Sequence, residues 1–277
     1  MLDTRKINPS HLDLVSKVLQ ELLGNSTTLR SDQMMIVGAE CRNLLHIAAG
    51  HSTQLRHTDD IDIGIGLSEW LPFEQTLAPI PSIGSNGIRY RVAGHPVDIV
   101  PFGEVEDPPG KARPPAVPEG LNVHGYREVF RGAKPLAIPG VGTVALPTVP
   151  GYTALKLFAW TDRSIWYEYR DAVDLATCLY WYNSSPDIRE RIWETAHGKE
   201  ALTWFDLDVD ATSAYLLGRD IATLLGPATL KALALAWTKS DKGLLATEMV
   251  DRQNHDWQAT SERRQVLLNA LEFGLWQ

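Results

Sequence analysis

Residues 60–67 read Asp-Ile-Asp-Ile-Gly-Ile-Gly-Leu, and no other segment limits the possible fold as much. Ile61, Ile63, Ile65 and Leu67 alternate strictly with Asp60, Asp62, Gly64 and Gly66, the two-residue period of a β-strand. One face therefore enters a core while the other presents two carboxylates on the same side. Adjacent carboxylates repel each other unless a cation lies between them. Hard oxygen donors at this spacing suit Mg²⁺ or Mn²⁺ bridged to substrate phosphates. Gly64 and Gly66 remove side chains from the acidic face, which is expected to leave room for a large group to lie across it. A solvated strand face would carry the same letters, so the flanking segments have to decide.

Upstream, the apolar run 34–37 ends at Gly38, and residues 39–49 read as a helix. A strand that turns at glycine into a helix offers unpaired backbone N–H groups to a phosphate, here at Gly38 and Ala39. Arg42, one helical turn in, and Arg56 with Thr58, just before Asp60, would add charge-assisted contacts to the same phosphates. Either arginine would equally serve as a surface charge. Downstream, residues 87–93 and 96–102 read as two strands around a tight turn at Gly94-His95. Asp98 lies in the second, with apolar neighbours on the alternate face, and a carboxylate held in a buried strand needs a partner. That partner is either a metal shared with Asp60 and Asp62, where Asp98 would also take the proton of an attacking hydroxyl, or an arginine such as Arg89 or Arg91.

The rest of the chain falls into two parts. Residues 11–23 have the spacing of an amphipathic helix stopped by Gly24 and Asn25. A Pro/Gly-rich stretch at 108–120 reads as a surface loop, and strand-like pieces recur at 126–130, 136–138 and 143–146. Beyond Tyr152 helical periodicity runs through 152–160, 166–182, 188–196, 211–225, 228–237 and 261–273, with almost no strand signal. The expected division is an α+β domain over 1–150, with a small mixed sheet, and an all-helical domain over 151–277.

With 277 residues, 44% hydrophobic and 22% charged, the composition is that of an ordinary globular protein and excludes coiled-coil and collagen-like chains. Cys41 and Cys178 are far apart in apolar surroundings, which points to buried thiols in a reducing compartment. No apolar run approaches the ~20 residues needed to span a bilayer, so a cytoplasmic protein with no membrane partner is expected. The net charge of −8 gives no overall field for nucleic acid. A polyanion would have to be held locally, by the basic residues Arg89, Arg91, Lys111, Arg113, Arg127, Arg131 and Lys134. The histidines and cysteines lack zinc-ligand spacing. Most tryptophans read as core, although Trp160 or Trp166 would also serve to stack on a base.

Taken in order, Gly38-Ala39-Glu40-Cys41-Arg42, then Arg56-His57-Thr58-Asp59-Asp60-Ile61-Asp62, then Val97-Asp98-Ile99-Val100-Pro101-Phe102-Gly103 resemble the nucleotidyltransferase superfamily that includes DNA polymerase beta. The Arg-x-Thr-x-Asp-Ile-Asp wording is similar to the AbiEii / MenT group of nucleotidyltransferase toxins from type IV toxin–antitoxin systems. The resemblance covers residues 34–178. It implies a polymerase-beta-like fold with metal ligands at Asp60, Asp62 and Asp98. It also implies a phosphate-binding lysine at Lys156 with Arg163 beside it, an acidic partner at Asp171, and a helical domain closing the nucleotide cleft. Ala39 departs from the superfamily pattern, which has Gly or Ser there, so the phosphate loses a hydroxyl donor. Lys156 and Asp171 are 15 residues apart, roughly 22 Å on one unbroken helix. Either the helix breaks near 162–164 or Asp171 has another task, such as a salt bridge to Arg163.

The activity so implied moves a nucleoside monophosphate from an NTP to an acceptor hydroxyl, with Mg²⁺ or Mn²⁺ as cofactor. The resemblance makes the acceptor the 3′ end of tRNA and adds a cognate antitoxin as a partner. A small cationic acceptor such as an aminoglycoside would suit an acidic protein, and a non-catalytic nucleotide-binding regulator is the alternative outside enzymology.

Overall fold

A computed structural model describes residues 3–53, 55, 60–250 and 257–277. The chain divides into two compact units, Leu2–Thr148 and Val149–Gln277. The first is α+β with a mixed sheet, and the second is helical.

In the first unit the strands are β1 (Met34–Val37), β2 (Ile61–Leu67), β3 (Arg89–Val92), β4 (His95–Gly103), β5 (Lys111–Ala112), β6 (Leu121–Asn122), β7 (Lys134–Ile138) and β8 (Gly142–Leu146). Its helices are α1 (Asp13–Gly24), α2 (Gly38–Ala48), α3 (Leu71–Leu77) and α4 (Tyr126–Gly132). Six strands form one sheet in the order β3, β4, β2, β1, β8, β7, while β5 and β6 pair separately. β2 runs parallel to β4 and antiparallel to β1. The alternation in 61–67 sets this arrangement, because Ile61, Ile63, Ile65 and Leu67 are all buried. Each such side chain contributes about 1.5–3 kcal/mol on leaving water.

Three local readings of the sequence in this unit need correction. Residues 126–130 form helix α4, not a strand. Gly125 starts it with φ 83°, and Tyr126 and Phe130, four residues apart, both reach Phe102, with ring centroids 5.7 and 5.4 Å away. The glycine face of β2 is not open space either. A Cβ at Gly64 would stand 3.2 Å from the Phe102 ring, and one at Gly66 3.4 Å. The glycines make room for that ring, and α4 covers it. Finally, the turn between β3 and β4 falls one residue earlier than expected, since Val92 pairs with His95. Ala93 and Gly94 take φ 50° and 82°, the left-handed pair that a two-residue hairpin turn requires.

The second unit contains α5 (Val149–Arg163), α6 (Arg170–Ser184), α7 (Pro186–Glu194), α8 (Ala196–Trp204), α9 (Val209–Trp237), α10 (Lys242–Glu248) and α11 (Ser261–Trp276). The helix expected to start at Trp166 begins at Arg170, after a short 3₁₀ turn over Ser164–Trp166. Trp160, Trp181 and Trp237 are buried in this unit. α9 and α11 touch through their backbones, because a Cβ at Gly218 would meet the Leu271 carbonyl oxygen at 2.2 Å and one at Gly274 the Tyr215 carbonyl oxygen at 2.1 Å. α9 bends at Gly226, φ 68°, just before Pro227, where the proline ring would clash with the preceding turn of a straight helix. Among the described residues no single helix is long and apolar enough to cross a membrane.

Two stability measurements check this packing. Phe102→Ala should lower the unfolding free energy by about 3–5 kcal/mol in denaturant titrations, the cost of emptying a buried aromatic site. Asp208 caps α9 through the backbone N–H groups of Asp210 and Ala211, and its side-chain hydrogen bonds from Arg263 hold its carboxyl below the usual range. A lowered folded value means that this stabilisation is present above the ordinary carboxylate pKa of about 4 and fades as pH falls below it. Unfolding midpoints measured from pH 7 down to 2 should therefore drop more for the wild type than for Asp208→Asn.

Candidate functional site

Two parallel strands in register bring the acidic residues into one row. Asp62 on β2 is the direct cross-strand neighbour of Asp98 on β4, and Asp60 immediately precedes the first residue of β2. β3 flanks β4 and sets Arg89 opposite Asp98. Directly paired residues share a face, so one row across three strands reads Arg89, Asp98, Asp62, turned away from the isoleucine face.

Arg89 binds two of the acids. Its Nε donates to Asp98 Oδ1 at 2.7 Å, and its Nη2 donates to Asp98 Oδ2 at 2.8 Å and to Asp60 Oδ2 at 2.7 Å. Such two-pronged, charge-assisted bonds are the strong ones. Asn86 fixes the base of this arrangement. Its Oδ1 accepts from the backbone N–H groups of Ile88 and Arg89 at 3.2 and 3.0 Å, and its Nδ2 donates to Asp98 Oδ1 at 3.4 Å. Bonding to Asp98, then the charges of Asp98, Asp60 and Asp62, raise Arg89 above its already high pKa against the opposing effect of burial. Of the two explanations for Asp98, the arginine contact is the one observed, and the arginine is Arg89.

Gly38 opens α2 with φ 59°. A Cβ there would stand 1.8 Å from Asp62 Oδ2, so only glycine lets the Asp62 carboxylate lie against the first turn of the helix. That position favours negative charge. It is also the place expected from the sequence to receive a phosphate, and here Asp62 itself lies against it. Ala39 is buried in the same turn. Arg42 is not a surface charge. It is 2% exposed, and its Nη2 donates to Asn43 Oδ1 at 3.2 Å. Arg56 and Thr58 lie outside the described residues.

Mg²⁺ or Mn²⁺ fits the donor chemistry of this row, which sets three carboxylates against one guanidinium and cradles one of the acids on Gly38. Among the described residues no group of three or more His, Cys, Asp or Glu side chains is drawn together into a ready-made cage. In this row the Arg89 guanidinium holds the gap between Asp60 and Asp98.

Lys156, Arg163 and Asp171 form a separate cluster in the helical unit. The chain breaks after Arg163, turns over Ser164–Trp166 and continues with Tyr167 at φ 64°, so α6 returns alongside α5. Lys156 Nζ thereby reaches Asp171 Oδ1 at 2.8 Å and Asp174 Oδ2 at 2.7 Å, with its side chain only 12% exposed. Burial pulls the Lys156 pKa down, but Asp174 and Asp171 outweigh it and hold the ammonium firmly charged. Arg163, about half exposed, lies 3.5 Å from the other oxygen of Asp171. Asp171 is fully buried, so in this arrangement it grips Lys156. Trp160 is core rather than a base-stacking surface, with its indole N–H donating to Ser240 Oγ at 2.7 Å. Trp166 is 73% exposed.

Asn86 enters the first cluster with no role read from the sequence, whereas Asp174 stands beside Asp171 in Arg170-Asp171-Ala172-Val173-Asp174-Leu175, where the sequence favours the structural contact that is observed. Asp174 carries a usable signal, lying three residues after Asp171 and hence on the same helix face. Asn86 lies in a loop whose path follows no periodicity. Compared with known proteins, the chain matches no family model and no curated protein sequence.

Lys156→Met leaves two buried carboxylates without their cation and should cost about 3–5 kcal/mol in denaturant unfolding. Adding Asp171→Asn and Asp174→Asn to it should restore most of that loss. A single variant as stable as the wild type would show that the cluster does not hold the two helices together.

Proposed function

We propose that this protein is a polymerase-beta-like nucleotidyltransferase, which transfers a nucleoside monophosphate from an NTP to an acceptor hydroxyl with Mg²⁺ or Mn²⁺ as cofactor. One observation carries the reading: Asp62 and Asp98 are in-register neighbours on parallel strands, with Asp60 beside them and Gly38 opening a helix against Asp62. Asp60, Asp62 and Asp98 would hold the cations. Bound there, divalent ions would neutralise the triphosphate and the departing pyrophosphate.

In the transfer, the acceptor oxygen bonds to the α-phosphorus while the bond to the pyrophosphate oxygen breaks. The hydroxyl proton passes to the Asp98 carboxylate, which Arg89 must first release in part. The backbone N–H groups of Gly38 and Ala39 orient the phosphates, with Arg56 and Thr58 preceding the acidic strand. Lys156 is already neutralised by Asp171 and Asp174, and Arg163 is the more exposed cation of that cluster.

The wording of residues 56–62 supports the 3′-terminal hydroxyl of tRNA as the acceptor, and a toxin held in check by an antitoxin as the biological role. Arg113, Arg131 and Lys134 are exposed on the unit that carries the carboxylates and suit a polyanion. Incubation with labelled NTPs, Mg²⁺ and total tRNA should label the tRNA, whereas a parallel reaction with aminoglycosides should not label them. Asp62→Asn should reduce the labelling at least about a hundredfold while its circular dichroism spectrum stays that of the wild type. Labelled aminoglycoside would move the acceptor assignment, and no label in any reaction would overturn the enzymatic reading.

A further inference from the structure

The carboxylate row contains a cation of its own. Arg89 Nη2 lies within 2.8 Å of one oxygen of Asp98 and one of Asp60 at once, so it occupies the gap between two of the acids that would hold a cation. The remaining Asp98 oxygen is taken by Arg89 Nε. Arg89 is tied at its backbone as well, through the Asn86 side chain and the pairing of β3 with β4. Its side chain is 34% exposed and so borders solvent.

We propose that Arg89 is the resident counter-ion of the acidic row, holding Asp60 and Asp98 in the cation-free protein and competing with the divalent cation for them. The proposal rests on the metal-dependent reading above and adds how that site is controlled. Arg89 swings out of the gap between Asp60 and Asp98 when the cation enters, and its tethered backbone keeps it close enough to meet the negative charge of a triphosphate arriving with the metal. The arginine thus sets a threshold: it weakens the hold of the acids on a metal, and a nucleotide arriving with the metal offsets that weakening.

The test measures Mn²⁺ uptake without nucleotide, by paramagnetic resonance of the free ion, in the wild type, Arg89→Met, Arg89→Lys and Arg91→Met. Arg91 gives up the same formal charge from the next outward position on β3, where its guanidinium donates to the Gly94 carbonyl oxygen. Removing a positive charge a few ångströms from a divalent ion should tighten binding at least about tenfold in Arg89→Met. Arg91→Met should change it much less, and Arg89→Lys, a single point charge that does not fork between the acids, should fall between the two. Thermal unfolding supplies a second readout. Cation-free Arg89→Met should melt below the wild type, and saturating Mn²⁺ should close that gap.

Equal or weaker Mn²⁺ binding by Arg89→Met than by the wild type would overturn the proposal and leave the metal centre standing. Equal tightening by Arg91→Met would reduce the effect to general charge and overturn it too. No uptake by any variant, with Asp62→Asn indistinguishable from the wild type, would overturn the metal-dependent reading along with it. Should Arg89→Met fail to fold, Arg89→Lys against the wild type decides, because competition requires tighter binding by the lysine variant.

Discussion

The Arg89 guanidinium holds the carboxylates of Asp60 and Asp98 at one end of two parallel strands, with Asp62 in the same row as Asp98. Without it the row Asp98–Asp62, with Asp60 alongside, would be a repulsive ladder at the edge of a hydrophobic core. The geometry that delivers it is a chain of dependencies. The isoleucines of β2 must go inward, which turns the acids outward. β4 must lie parallel and in register with β2, which sets Asp98 beside Asp62. β3 must fold back on β4 through a two-residue turn, which sets Arg89 opposite Asp98. Each step follows from packing that has nothing to do with charge, and together they leave one ion-pair network.

The outline of this arrangement is legible in the sequence because it rests on short periods. The alternation in 60–67 and the apolar run 96–102 around Asp98 identify both strands, and the strand–glycine–helix pattern at Gly38 identifies the turn, although it is Asp62 that lies against it. The pairing partner of Asp98 is a finer matter. A turn at Gly94-His95 would set Arg91 opposite Asp98, whereas the observed turn at Ala93-Gly94 sets Arg89 there. A turn displaced by one residue shifts the pairing by two and thus decides which arginine enters the site, and alanine is an unusual occupant of the left-handed conformation that the turn demands. The glycines of β2 mislead for a related reason. Missing side chains leave space for a ligand and for a neighbouring ring alike, and that Phe102 fills it depends on a strand some 35 residues further on.

The helical unit teaches the converse. Distance arithmetic alone shows that Lys156 and Asp171 meet only if the helix breaks between them, and the break falls at Ser164–Trp166. The segment carries no proline or glycine to announce it. A buried lysine balanced by two aspartates is also a commitment: its charge answers first to Asp171 and Asp174, and only the more exposed Arg163 faces outward. Residues 126–130, Tyr-Arg-Glu-Val-Phe, are too few for spacing alone to separate helix from strand, and contacts to Phe102 from one side of a helical turn resolve it.

Where α9 crosses α11, glycine meets carbonyl oxygen with no side chain in between. Flexible side chains normally let packed helices slide by changing rotamer, and at these two glycines there is none to change. The stretch of α9 before its bend and α11 must therefore travel as one piece in any rearrangement of this unit. Gly226, just before Pro227, marks where that rigid member ends.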